Sequence, residues 1–137
     1  MANALYPKWK EALIQNSADS DVDGSGTTGV YAVLVDTGTY TYNSAHQYYS
    51  DLSGIVGTEV ELSTKTYTNG VLDAADITFS AVSGSTVEAI VLFRKNAGAN
   101  TTWRLIAYMD SGYTGLPVTP NGGDIIVQWN ASGIFAL

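Results

Sequence analysis

Short runs of apolar residues, separated by turns rich in glycine, asparagine and serine, dominate the chain and are typical of β-strands. Residues 30–36 and 87–95 are compact valine-containing runs, whereas residues 103–109 and 125–129 place large apolar side chains at every second position. The same pattern predicts further strands at residues 40–42, 56–62, 77–82 and 134–137. The Asn69-Gly70 dipeptide predicts a hairpin turn between residues 65–68 and the chain that begins at Val71.

Helical spacing is confined to two short segments. Tyr6, Trp9 and Leu13, and less regularly Ile14, recur at intervals of three and four residues after Pro7, which predicts an N-terminal helix. A second helix is predicted over residues 45–52, where Ser44 would be the N-cap and Gly54 would end it.

These elements predict an antiparallel β-sandwich or jelly roll of about seven to nine strands, with a short N-terminal helix and one short inserted helix. The polar, glycine-containing residues 16–29 separate the helix from the strands. We therefore divide the chain into an N-terminal helix or arm with an acidic loop, residues 1–28, and a β-sandwich domain, residues 29–137. A chain of 137 residues is long enough for one core.

The amino-acid composition limits the classes of partner that the chain can bind. Thirteen acidic and six basic residues give a net charge of −7, which opposes binding to nucleic acids and to anionic membranes. No apolar run approaches the roughly 20 residues that span a bilayer. The absence of cysteine excludes disulfides and thiolate chemistry. The start of the chain lacks the pattern of a secretory signal, so we expect a soluble protein that folds in a cytoplasm.

Catalytic residues are difficult to assign. The single histidine, His46, lies near Ser44 and Asp51, but the spacing matches no hydrolytic triad, and we expect it to be structural. The carboxylate pairs that a glycosidase mechanism would use are Glu59 with Glu61 and Asp73 with Asp76. The first pair would face one side of a strand, as expected of a charged sheet edge, so we expect no enzyme and no resident cofactor.

The acidic loop resembles half of a calcium site. Asp19, Asp21, Asp23 and Ser25 place oxygen atoms at alternate positions, and Gly24 occupies the sixth position of such a loop. The twelfth position, where a calcium loop needs glutamate, is Val30. A solvated acidic loop is the favoured interpretation, and weak calcium binding is the alternative.

Aromatic residues are the strongest indication of a binding surface. Six tyrosines, more than one small core needs, suggest contact with a partner, because tyrosine favours interfaces and sugar stacking. They are Tyr40, Tyr42, Tyr48, Tyr49, Tyr67 and Tyr113. Tyr6 and Trp9 would anchor the N-terminal helix, either as a lid packed on the domain or as an arm that reaches a neighbour.

Four stretches, which together span most of the chain, resemble a family of small structural proteins of tailed-bacteriophage virions. The stretches are YPKWKEALI (residues 6–14), YAVLVDTGTYTYNSAHQYYSDL (31–52), TNGVLDAADITFSAVSG (68–84) and VTPNGGDIIVQW (118–129). The resemblance implies a component of the head surface that decorates or cements the capsid, with the major capsid protein and copies of itself as partners. Symmetry would favour a homotrimer or another closed oligomer.

Within this interpretation, Tyr6, Pro7 and Trp9 match the family's opening and are the first candidates for contact with a neighbour or the shell. Tyr40, Tyr42, Tyr48 and Tyr49 are the second set. Two alternatives stay open: a tail or fibre component whose tyrosines contact host surface glycans, and a small β-fold hydrolase that uses one of the carboxylate pairs.

Overall fold

The computed structural model describes residues 3–137 and shows a mainly β, antiparallel, sandwich-like protein, which confirms the predicted fold class. These residues form ten strands, four of which are only two residues long. The strands are β1 (Ala4–Leu5), β2 (Val30–Val35), β3 (Ile55–Glu61), β4 (Val71–Leu72), β5 (Ile77–Phe79), β6 (Ala89–Arg94), β7 (Arg104–Met109), β8 (Tyr113–Thr114), β9 (Ile125–Trp129) and β10 (Phe135–Ala136).

Helical structure is short. The helix α1 spans Pro7–Ile14 and begins with proline at its first position, as the sequence predicts. Short 3₁₀ turns lie at Gly26–Thr28, Tyr49–Asp51, Thr68–Gly70 and Asn100–Thr102. No helix in the described part of the chain is long and apolar enough to cross a membrane.

The strands form three antiparallel sheets. The largest has the order β1-β7-β6-β2-β3, a second pairs β10 with β4, and a third has the order β5-β9-β8. Side chains of all the longer strands join one buried cluster, in which Phe79 and Val127 of the third sheet meet residues of β2, β6 and β7. One core therefore holds the large and the three-stranded sheet together.

Strands β2 and β6 are buried at nearly every position, so both faces of the large sheet are covered. Tyrosines of the loop at residues 40–49 supply part of this cover. Tyr42 packs on Tyr108 of β7, with ring centroids 5.7 Å apart, and Tyr49 packs on Phe93 of β6 at 4.7 Å. This loop therefore completes the core.

The same loop overturns two predictions. Residues 45–52 form no α-helix, because the N–H of Tyr49 donates to the Trp103 carbonyl and the Asp51 carboxylate accepts from the N–H groups of Gln47 and Tyr48. The backbone thus extends the edge of β7 instead of closing helical bonds, and only the 3₁₀ turn Tyr49–Asp51 remains. Residues 40–42 form no strand either.

The predicted hairpin at Asn69-Gly70 is confirmed. Asn69 has φ 56° and Gly70 has φ 76°, the left-handed conformations that such a turn requires. Thr66 pairs with Asp73 across it.

The N-terminal segment is docked on the domain. Residues Ala4 and Leu5 pair with β7, and the N–H of Tyr6 donates to the Ile106 carbonyl at 2.9 Å. Tyr6 and Trp9 are 0% and 1% exposed and belong to the buried cluster of the strands. The helix is therefore a lid in this structure. Residues 1 and 2 of the proposed segment 1–28 lie outside the described residues.

Candidate interaction surfaces

A buried hydrogen-bonded chain joins the lid to the loop at residues 40–49. The hydroxyl groups of Tyr6 and Tyr40 lie 2.7 Å apart, and the Tyr40 hydroxyl lies 2.9 Å from Nδ1 of His46. Tyr42 and Tyr108 pack their rings around these groups. Burial raises the pKa of Tyr6 and of Tyr40 above the usual tyrosine value, so both phenols keep their protons at neutral pH.

A second aromatic cluster holds Lys95. Its ammonium group lies 4.4 Å from the ring centre of Tyr31 and 4.9 Å from that of Trp103, and 2.7 Å from a carboxylate oxygen of Glu59. The Trp103 ring stacks on Phe93. Partial burial raises the pKa of Glu59, but the hydrogen bond and charge of Lys95 outweigh this and hold the pKa below its usual value. The cation site formed by the rings of Tyr31 and Trp103 is thus occupied by the chain's own Lys95.

Most of the aromatic residues proposed to contact a partner are used within the chain itself. The side chains of Tyr6, Trp9 and Tyr40 are buried in its core. Pro7, Tyr42, Tyr48 and Tyr49 are half-buried, and Tyr48 lies beside the guanidinium group of Arg104. Of the six tyrosines singled out in the sequence, only Tyr67, at 42%, is exposed. The abundance of tyrosine that suggested a binding surface instead reflects aromatic side chains that cover the second face of the large sheet.

The acidic loop is organised around Arg94. This arginine, whose side chain is only 6% exposed, donates to the carboxylates of Asp19 at 3.1 Å and Asp21 at 2.7 Å. Asp19 also accepts from the amide of Asn96. Partial burial raises the pKa of Asp21, but its hydrogen bonds with Asp23 and Arg94 and the charge of Arg94 prevail and lower it.

Lys65 adds a second internal cation at this loop by donating to the carbonyl of Gly24. Ser25 accepts through its carbonyl from Thr28, and its side chain is exposed. Among residues 3–137, no three histidine or acidic side chains are arranged to hold a metal ion. The geometry thus brings Arg94, rather than an open ligand set, to Asp19 and Asp21, and calcium binding stays a prediction without a converged site in the described residues.

The remaining carboxylates have structural contacts. Glu61 accepts from the N–H of Gly26 at 2.7 Å, and Asp76 accepts from the N–H of Trp129 at 3.0 Å. Asp73 accepts from the N–H of Ala74 within the hairpin. Glu59 and Glu61 do lie on an edge strand, β3, as the sequence indicates.

An exposed apolar patch, which the sequence analysis did not single out, lies where α1 ends. Leu13, Ile14 and Leu137 form it, and Lys10 borders it. Ile14 is 86% exposed and Leu137 is 70% exposed. The helical spacing could have indicated this patch, because Ile14 falls outside the stripe of Tyr6, Trp9 and Leu13 that faces the core. We call these four residues the α1 patch.

Comparison of the chain with protein-family models gives no match, and neither does comparison with curated proteins.

Proposed function

We propose that this protein is a non-enzymatic structural component of a tailed-phage virion that decorates or cements the head shell. The proposal rests on the sequence resemblance described above and on one structural observation, the exposed α1 patch. The protein would lie on the capsid surface and bind the major capsid protein. Copies of it would surround a symmetry axis of the shell.

The hydrogen bonds and ion pairs that polar side chains make within the domain support a structural role. Polar groups with catalytic potential are engaged in holding the fold: His46 with Tyr40, Glu59 with Lys95, and Asp76 with the backbone of β9. Every buried side-chain nitrogen and oxygen atom in the described residues has a hydrogen-bond partner.

The α1 patch is the surface that we assign to the shell. Its apolar side chains would gain from burial at about 25 cal/mol per Å². The ammonium group of Lys10 has no hydrogen-bond or ion-pair partner within residues 3–137, whereas Lys8 pairs with Glu11. An apolar shell surface that carries a carboxylate would satisfy both features. Face-to-face pairing of two such patches would bring two Lys10 groups together and is disfavoured.

The test uses purified virions and shells that lack this protein. We expect the chain to co-purify with intact particles at a copy number set by shell symmetry, and to bind bare shells in a sedimentation assay. The substitution Ile14→Asp should weaken that binding by at least about tenfold, because it replaces an exposed apolar side chain that the shell would cover with a carboxylate that would repel the shell carboxylate facing Lys10.

Ile126→Asp is the matched control, since Ile126 is 58% exposed on β9 and the change in chemistry is the same. Circular dichroism melts establish that both variants fold. Equal binding of the two variants would remove the α1 patch from the proposal. Absence of the protein from purified virions would overturn the virion role itself, and labelling of the tail instead of the head would favour the fibre alternative.

A further inference from the structure

The hydrogen bonds that link Tyr6, Tyr40 and His46 determine which atom carries each of the protons between them. Tyr6 is 0% exposed and Tyr40 is 2% exposed, so neither hydroxyl group can rely on bulk water. The only hydrogen-bond partner of the Tyr6 hydroxyl within residues 3–137 is Tyr40. A buried hydroxyl that donates no hydrogen bond is costly. Tyr6 must therefore donate to Tyr40.

The direction of the second bond follows from the first. Tyr40 has one hydroxyl proton, and within the described residues its oxygen has one other hydrogen-bond partner, Nδ1 of His46, at 2.9 Å. Tyr40 must donate to that nitrogen, which therefore carries no proton. Docking of the lid thus selects a neutral His46 with its proton on Nε2.

Protonation of His46 would reverse this order. Nδ1 would become a donor to Tyr40, so the hydroxyl proton of either Tyr6 or Tyr40 would have no acceptor in the described residues. We propose that His46 makes docking of the N-terminal lid dependent on pH, so that the lid is held firmly when His46 is neutral and loosens when His46 is protonated.

Neighbouring charges do not cancel this effect. Asp51 is the acidic group that interacts with His46 among the described residues; its pKa is lowered mainly by the hydrogen bond from the N–H of Tyr48 and in part by the charge of His46. Asp51 and His46 lie on the same loop, so this attraction is present whether or not the lid is docked. Only Tyr6 belongs to the lid, and only interactions that differ between the two states shift their equilibrium. The other groups around Tyr40, the phenols of Tyr42 and Tyr108, stay neutral because burial raises their pKa.

Hydrogen exchange measured by mass spectrometry on the full chain tests the proposal. Between about pH 7.5 and about pH 5.5, a range in which histidine gains a proton, protection of peptides covering residues 3–16 should fall by about tenfold after correction for intrinsic rates. Peptides from β2 and β6 should keep their protection.

His46→Asn is the matched variant. Its side-chain oxygen can accept from Tyr40 at the position of Nδ1 but does not titrate, so protection of residues 3–16 should no longer depend on pH. A wild-type lid whose protection is the same at both pH values would overturn the proposal. An equal loss of protection in His46→Asn would also overturn it, since the titrating group would then lie elsewhere.

A measurement on the wild-type chain keeps the test decisive if the variant does not fold. His46 is the only histidine in the chain, so its ring nitrogen signals in a long-range ¹H–¹⁵N spectrum need no further assignment. At about pH 7.5 we expect the tautomer with the proton on Nε2. A proton on Nδ1 at that pH would contradict the proposed hydrogen-bond direction, in which Tyr40 donates to Nδ1.

Discussion

At the scale of single residues, five of the six basic side chains of this acidic chain, all except Lys10, bind oxygen atoms of the chain itself within the described residues. Arg94 lies between Asp19 and Asp21, and Lys95 is held by Glu59 and two aromatic rings. Spacing alone indicates that the acidic loop can hold a cation. It could not show that the cation would be an arginine more than 70 residues away in the sequence, because that contact depends on how the loop packs against β6.

This arrangement makes a prediction about calcium. Because Arg94 and Lys65 already supply positive charge to the loop, millimolar calcium should leave the melting temperature of the protein unchanged relative to a chelator. Differential scanning calorimetry checks this, with magnesium at the same concentration as the control for ionic strength. A rise specific to calcium would mean that the loop rearranges around the ion and releases Arg94.

At the scale of elements, the strands with clear alternation or compact apolar runs were predictable, and the loop at residues 40–49 was not. Tyr48 and Tyr49 satisfied the weak local pattern of a helix. In the fold, the Tyr49 ring instead covers Phe93, and its N–H pairs with the edge of β7. Long-range packing outweighed the local preference. The sequence indicated more tyrosines than a small core needs, whereas Tyr40 belongs to the core, and Tyr42, Tyr49 and Tyr113 pack against it.

The two faces of α1 give a matched prediction. Trp9→Ala should lower the free energy of unfolding by about 3–5 kcal/mol, because it leaves a cavity in the core and removes the bond from the indole N–H to the Ser20 carbonyl. Ile14→Ala, on the exposed side of the same helix, should change it by less than about 0.5 kcal/mol. Urea unfolding followed by circular dichroism measures both. Equal effects would mean that the helix is not docked in solution.

At the scale of the whole molecule, the division at residue 28 separates segments of the chain that share one core. Tyr6 and Trp9 are buried with residues of β2, β6 and β7, and the third sheet adds Val127 and Trp129 to the same cluster. A lid that supplies two of the largest buried side chains is part of the cooperative unit. We therefore expect its attachment and the stability of the sheets to be coupled under conditions in which His46 is neutral.

The three tryptophans allow this coupling to be measured, because each lies in a different part of the fold. Trp9 is in α1, Trp103 lies just before β7, and Trp129 ends β9. With fluorotryptophan incorporated, the three ¹⁹F signals should lose their native intensity at one common urea concentration at about pH 7.5, since loss of the lid would expose Tyr40 and Tyr108 beneath it. Circular dichroism on the same samples should give the same midpoint. If the Trp9 signal changed at a lower urea concentration than the other two, the lid would be a separately unfolding unit, and the single core inferred here would be limited to residues 29–137.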